Sequence, residues 1–233
     1  MSTLLLHSCC APCTLLPLEL LRQANWQPTV FFYNPNIQPR QEHDRRLCAL
    51  KSYCQQVGGE LLVNSADAEL WIEMVGNRGG PFPLIVGDAD FDLNRQARLE
   101  RCTACYQLRM QRTSEMAREQ GFAYISSTLL LSPYQFHEHV QLQLADAAVA
   151  AGKEVYYTDW RPRFSEANRR TRALGLYRQN YCGCAYSQTE ANLERAARKA
   201  QRQNRRAGTS THSPSADSQT LTFLDDHAES KLC

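Results

Sequence analysis

The chain has 233 residues, 43% hydrophobic and 21% charged, with a net charge of +2. These are ordinary values for a globular protein, enough for one large domain or two small ones. No apolar run approaches the ~18 residues of a membrane helix, and Met1 to Leu6 is too short and uncharged for a signal peptide, so no membrane partner and a cytoplasmic location are expected.

Taken in order, Thr3 to Leu6 predicts a first strand, and the apolar period from Leu15 to Leu21 predicts a helix. Between them lies His7-Ser8-Cys9-Cys10-Ala11-Pro12-Cys13. Thr29 to Tyr33 predicts a second strand, closed by Asn34-Pro35-Asn36, and Pro39 to Val57 a polar helix. Glu60 to Val63 predicts a third strand and Asp67 to Val75 a helix. Gly76 to Asp92, rich in Gly and Pro, predicts a long loop. A helix beginning near Asn94 or Arg101 carries Cys102 and Cys105 and runs to Gln120. Ala123 to Ser127 predicts a fourth strand, with Thr128 to Tyr134 continuing as loop. Gln135 to Ala151 predicts a helix, Glu154 to Tyr157 a fifth strand and Asp159 to Pro162 a polar turn. A basic helix from Glu166 to Leu174 leads to Tyr177-Arg178-Gln179-Asn180-Tyr181-Cys182-Gly183-Cys184, and a last helix spans Ser187 to about Arg202. The composition from Asn204 onward predicts a disordered tail, so residues 1–203 are expected to form the catalytic domain and 204–233 the tail. Strands alternating with helices predict an α/β fold: three layers around a mostly parallel sheet.

Ten cysteines in a reducing compartment argue for metal or redox chemistry rather than a disulfide scaffold. Cys9 and Cys10 can face one centre only if the backbone turns there, and Ala11-Pro12 supplies the break. Cys102 and Cys105 are three apart, which puts both sulfurs on one side of a helix. Four such thiolates match a [4Fe–4S] cluster, with structural zinc or no metal as the alternatives. Cys13 is a fifth nearby thiol: a core residue, an alternative ligand, or a ligand to a second metal. Cys182-Gly183-Cys184 suits a strained, readily reduced dithiol pair, against the plainer reading of a flexible turn. Cys48, Cys54 and Cys233 read as incidental.

The polar and aromatic flanks suggest a substrate. Asn34, Asn36, Asp159, Arg161, Arg178, Gln179 and Asn180 lie at or near strand ends or beside cysteines, and Tyr33, Tyr106, Tyr177 and Tyr181 offer stacking faces. Arginine and aromatic residues together suit an unpaired RNA base, and the late arginines could track phosphates or form a solvated face.

With these motifs assembled, the chain closely resembles the cobalamin-independent epoxyqueuosine reductase family. The resemblance is carried by His7 to Cys13, Tyr33 to Ile37, Arg101 to Arg109, Thr128 to Tyr134, Asp159 to Pro162 and Leu176 to Ser187. It implies the last step of queuosine biosynthesis, in which epoxyqueuosine at the wobble position of a tRNA anticodon loop is reduced to queuosine. It also implies a [4Fe–4S] cluster on Cys9, Cys10, Cys102 and Cys105 and a redox-active disulfide at Cys182 and Cys184. The implied fold is that of the adenine nucleotide alpha hydrolase-like, Rossmann-like domains. One departure is Gly76 to Glu100, longer and differently composed than the family's approach to its second cysteine pair. Cys13 or Asp159 is a candidate holder of a second, mononuclear iron. An external electron donor is expected. ATP is not, because the first loop has no glycine to cradle phosphate. The competing readings are a tRNA sulfur transferase using iron–sulfur or thiol chemistry, and a zinc-stabilised RNA-binding module.

Overall fold

A computed structural model describes residues 2–64, 68–76 and 91–209. Residues 77–90, most of the expected long loop, and 210–233, most of the expected tail with Cys233, lie outside the described residues. So do residues 65–67, which include Asp67, the first residue of the third predicted helix.

The first strand, β1 (Ser2–Ser8), places Leu4, Leu5 and Leu6 at zero exposure. A continuous apolar run rather than an alternating one is what a central parallel strand needs, since both of its faces are covered by helices. It pairs in parallel with β2 (Trp26–Phe32) on one side and β4 (Tyr124–Ser127) on the other. The outer strands are β3 (Leu61–Val63) and β5 (Glu154–Val155), giving the order β3-β2-β1-β4-β5. The chain first steps from β1 outward to β3, then restarts at β4 and steps the other way. Right-handed crossovers therefore send α1 (Ala11–Gln23) and α2 (Arg40–Gln56) to one face, and α4 (Phe91–Glu119) and α5 (His137–Ala151) to the other. The packing agrees: α1 neighbours α2 and α6 (Phe164–Ala173), while α4 neighbours α5 and the short α3 (Ala68–Met74). The expected three-layer α/β fold with a parallel sheet is what the chain adopts.

The direction reverses beside β1, and in open parallel sheets ligands bind outside the strands' carboxyl ends at such a switch. The Cys9 turn leaves β1 at that end.

Differences from the sequence reading are local. The strand expected at Glu154 to Tyr157 is two residues long. Thr128–Leu131 forms a 3-10 turn where a loop was expected, begun by Leu129 N–H donating to Ser127 Oγ (3.2 Å). The last helix, α7, runs Ala185–Thr209, longer than predicted. The chain divides into two compact units, Met1–Thr189 and Glu190–Cys233.

Candidate active site

β1 ends at Ser8, and Cys10 is the N-cap of α1 with extended backbone (φ −177°, ψ 162°). The chain bends at Cys9 and enters the helix at Ala11, and the Cys9 and Cys10 sulfurs lie 3.5 Å apart. Pro12 sits in the first helical turn, where an absent N–H costs nothing. Cys13 is one turn on from Cys10, and the Sγ atoms of Cys9, Cys10 and Cys13 all lie within 4.8 Å of one another. Cys10 and Cys13 hydrogen-bond to Cys9, holding its thiol well below the usual range; the nearby Arg109 and Arg46 guanidiniums add to this, against burial. Burial pushes Cys10 up, and its bonds to the neighbouring sulfurs push Cys13 up. The turn thus favours one thiolate, at Cys9, served by two S–H groups at the positive end of a helix.

His7 anchors this turn from beneath. It is fully buried, with Nε2 3.2 Å from Tyr33 O and Nδ1 2.9 Å from Ser127 Oγ. A carbonyl only accepts, so Nε2 carries the hydrogen and Nδ1 accepts from the serine. Burial, then the charge of Arg109, lowers the His7 pKa to about 3, so the ring stays neutral. It ties the ends of β1, β2 and β4 together.

On α4, Cys105 is buried and Cys102 half-buried. Cys105 packs in one apolar cluster with Trp71, Val75, Ala104, Leu108 and Cys184. Burial raises the Cys102 thiol, with Cys182 the next cause; burial also raises Cys105, while Arg109 lowers it. Arg109 stands one helical turn beyond Cys105 and is 1% exposed. Its Nη2 donates to Asn34 Oδ1 (2.7 Å), and its Nε and Nη1 meet no nitrogen or oxygen acceptor among the described residues. Its electrostatic partners are Cys105, Cys182 and Cys9, one from each cysteine motif.

The third motif lies on a stretch without a strand or helix, strapped to the start of α2. Arg46, fully buried, donates from Nη1 to Cys182 O (2.8 Å), from Nη2 to Tyr181 O (3.4 Å) and from Nε to Glu42 Oε1 (2.7 Å). Gln38 N–H donates to Gly183 O (2.9 Å), and Tyr181 Oη–H to Gln38 O (3.0 Å). Gly183 has φ +147°, and a Cβ there would stand 2.9 Å from both Asn36 Nδ2 and Ile37 Cγ1. Backbone conformation and close packing both demand glycine at this position. Cys182 and Cys184 are both thiols, and burial followed by Cys184 pushes Cys182 up to about 12. Gln135 Nε2 reaches Cys182 Sγ (3.8 Å), and Gln179 Nε2 reaches Cys10 Sγ (2.7 Å), so this loop touches the first thiol group directly.

The residues expected to meet substrate fall into two sets. Tyr33, Asn34, Asn36 and Tyr106 are all buried, at 4% exposure or less. Asn34 bridges Arg109 to Ser8 O (2.8 Å), and Tyr106 Oη–H donates to Gln135 Oε1 (2.8 Å), so both support the site from behind. Tyr177 and Tyr181 are half-buried with Arg45 and Arg46 over their rings, at 5.3 and 5.1 Å. The Tyr177 hydroxyl donates to Glu42 Oε2 (2.6 Å). Arg178 is exposed. Asp159 accepts from Arg161 on both oxygens, at 2.9 and 2.7 Å, and this pairing lowers its carboxyl to about 2. Its other neighbour is His137, at 4.0 Å.

Sequence reasoning missed Arg46, Arg109 and Gln135, and took Gln179 for a substrate-side residue where it reaches Cys10 Sγ. A signal existed for Arg109: Arg101, Cys105 and Arg109 recur every four residues and so share one helix face.

The family model described as "Epoxyqueuosine reductase QueH" matches residues 4–190. An epoxyqueuosine reductase QueH of Dehalococcoides mccartyi is 33% identical over 189 residues, covering 80% of this chain and 93% of its own length. That of Thermotoga maritima is 31% identical over 198 residues, covering 84% and 95%. That of Acinetobacter baylyi is 30% identical over 199 residues, covering 81% and 82%.

Proposed function

The chain belongs to the epoxyqueuosine reductase QueH family, and we propose that its reductase chemistry runs where the three cysteine motifs meet around Arg109. The enzyme is an oxidoreductase acting on tRNA. Reducing epoxyqueuosine to queuosine consumes two electrons and two protons and releases the epoxide oxygen as water.

The donor set fits an iron–sulfur centre. Cys9 and Cys10 on one element and Cys102 and Cys105 on another offer four thiol sulfurs, the complement of a [4Fe–4S] cluster, and metal binding would deprotonate them. A thiolate-ligated cluster adds negative charge to a buried site. Arg109, buried without a carboxylate partner among the described residues, is the counter-charge such a group needs. When bound, the cluster would supply electrons one at a time. Of the two groups considered for a second iron, Cys13 is gathered with Cys9 and Cys10. Both oxygens of Asp159 are engaged by Arg161, so the reading assigns a second iron to the Cys13 side.

Cys182 and Cys184 serve as the two-electron store. Closing their disulfide releases two electrons and two protons, matching the demand of the epoxide, and an external donor reopens it. Gln135 orients Cys182, and Gly183 lets the backbone take the required form. The Cys9 loop has no glycine to cradle a nucleotide phosphate, so we propose a reaction without ATP, run in the cytoplasm. Among the described residues no helix is long and apolar enough to cross a membrane.

The observation that carries this reading is the packing of the three motifs against one another: Gln179, on the Cys182 loop, reaches Cys10 Sγ at 2.7 Å, and Cys184 shares a buried cluster with Cys105. Nucleoside analysis of tRNA from cells lacking the protein tests the reaction: epoxyqueuosine should accumulate and queuosine disappear, and unchanged queuosine with no other reductase present would sink it. Anaerobic purification tests the cofactor. Brown protein absorbing near ~400 nm with bound iron and sulfide is expected, and colourless protein with stoichiometric zinc would replace the cluster with a structural site.

A further inference from the structure

The family model ends at residue 190, and α7 continues to Thr209. That extension carries Arg195, Arg198, Lys199, Arg202 and Arg205, all exposed. At 3.6 residues per turn these five cations fall within an arc of about 120°, along a rod of about 15 Å. No Asp or Glu lies between Arg195 and Thr209. The remaining turns of the same segment present Ala196, Ala197, Ala200, Gln201, Gln203 and Asn204. The acidic neighbour Glu194 pairs with Arg198 at 3.6 Å, an exposed contact that solvent makes weak.

Three classes of partner accept a basic helix. A membrane surface requires bulky apolar residues opposite the cations, and so does a protein groove. Here the opposite face carries a single leucine, Leu193, and otherwise alanine and amide, too little to anchor either. An unpaired base requires an aromatic or similar stacking plane, and residues 187–209 contain no aromatic side chain. A straight row of cations with no stacking groups fits a regular row of phosphates.

We propose that this stripe docks the sugar–phosphate backbone of a helical stem of the substrate tRNA. The inference rests on the family reading for the identity of the RNA. It adds a contact outside the family's matched region that supplies affinity through charge and reads no sequence.

The test uses the full chain with Arg195→Gln, Lys199→Gln and Arg202→Gln combined. Glutamine keeps helix propensity and removes the charge. Binding of full-length tRNA is followed by fluorescence anisotropy over a salt series. The triple variant should bind about tenfold or more weakly at low salt, and the slope of log K against log salt should flatten by roughly two to three. The charge-keeping variant Arg195→Lys with Arg202→Lys should restore the unaltered protein's slope. Unchanged affinity and slope in the triple variant overturn the proposal, as does affinity lost for anionic vesicles with tRNA binding intact. Turnover of epoxyqueuosine by the unaltered protein is measured in parallel. Its absence would sink the proposed reaction, and the binding curves would still decide the stripe.

Discussion

Cys9, Cys10 and Cys13 are set in place where a strand ends and a helix begins, above a sheet whose central leucines are fully buried. Cys182 and Cys184 reach the same neighbourhood on a stretch held by side chains of α2, with Arg46 gripping two of its carbonyls. The first group is as rigid as the core beneath it. Releasing the second breaks a few hydrogen bonds and the packing of Cys184 against Trp71 and Cys105, with no strand or helix of its own to undo. That difference suits the two tasks: metal ligands need fixed geometry, whereas a dithiol that opens and closes each turnover must move.

The comparison breaks most visibly at the rigid thiols. Cys9→Ser, Cys10→Ser, Cys102→Ser and Cys105→Ser should each lower bound iron and abolish turnover, because a hydroxyl is a poor substitute for a thiolate on iron. Iron analysis after anaerobic purification is the check, and full iron with full turnover in any one variant removes that residue from the ligand set. Cys13→Ser belongs in the same series, since its sulfur lies within 4.8 Å of those of Cys9 and Cys10.

Next in size, Cys182→Ser and Cys184→Ser should keep near-normal iron while losing multiple turnover. Mass spectrometry of the unaltered protein should find a Cys182–Cys184 linkage that forms on oxidation and vanishes with a dithiol reductant. Serine variants with unchanged steady-state turnover would end the relay and leave the two thiols as parts of a turn.

Gly183→Ala probes the hinge between those thiols. The added Cβ meets the buried side chains of Asn36 and Ile37 at 2.9 Å, and φ +147° disfavours any L side chain. A strain of about 1–3 kcal/mol at the loop is expected. Turnover should fall about tenfold with iron retained, and a variant with full turnover and unaltered thermal stability would show that the loop is not held this way.

The contrast also explains what the sequence made legible. The strand-end thiols were visible because apolar runs, a Pro-broken turn and an i, i+3 cysteine pair each have a local signature. The strap was not. Tyr177 and Tyr181 flank cysteines and read as stacking faces for a base; only the tertiary fold brings Glu42 and Gln38, more than a hundred residues earlier, against their hydroxyls. Arg46 and Arg109 sit on helices rich in charge, where a cation ordinarily marks a solvated face. Their burial is decided by what packs above them. The two-residue β5 was overextended for a related reason: Tyr156 and Tyr157 have strand propensity, but as an edge element β5 has a partner, β4, only four residues long.

The smallest expected effect separates strap from stacking. Tyr177→Phe keeps the ring, so a base stacked there would scarcely notice. It removes the 2.6 Å hydrogen bond to Glu42, a carboxylate that also holds Arg46. The loss should be about 1 kcal/mol, because Glu42 keeps its arginine and the site is only half-buried. At about 1.4 kcal/mol per factor of ten, that is a few-fold shift toward the released loop. It should appear as a few-fold lower kcat with KM for tRNA unchanged. Tyr177→Leu should add little more, since Arg45 already covers the ring at 5.3 Å. The opposite pattern, a silent Phe variant and a Leu variant with raised KM, would return Tyr177 to the substrate side and leave Arg46 and Tyr181 to hold the loop.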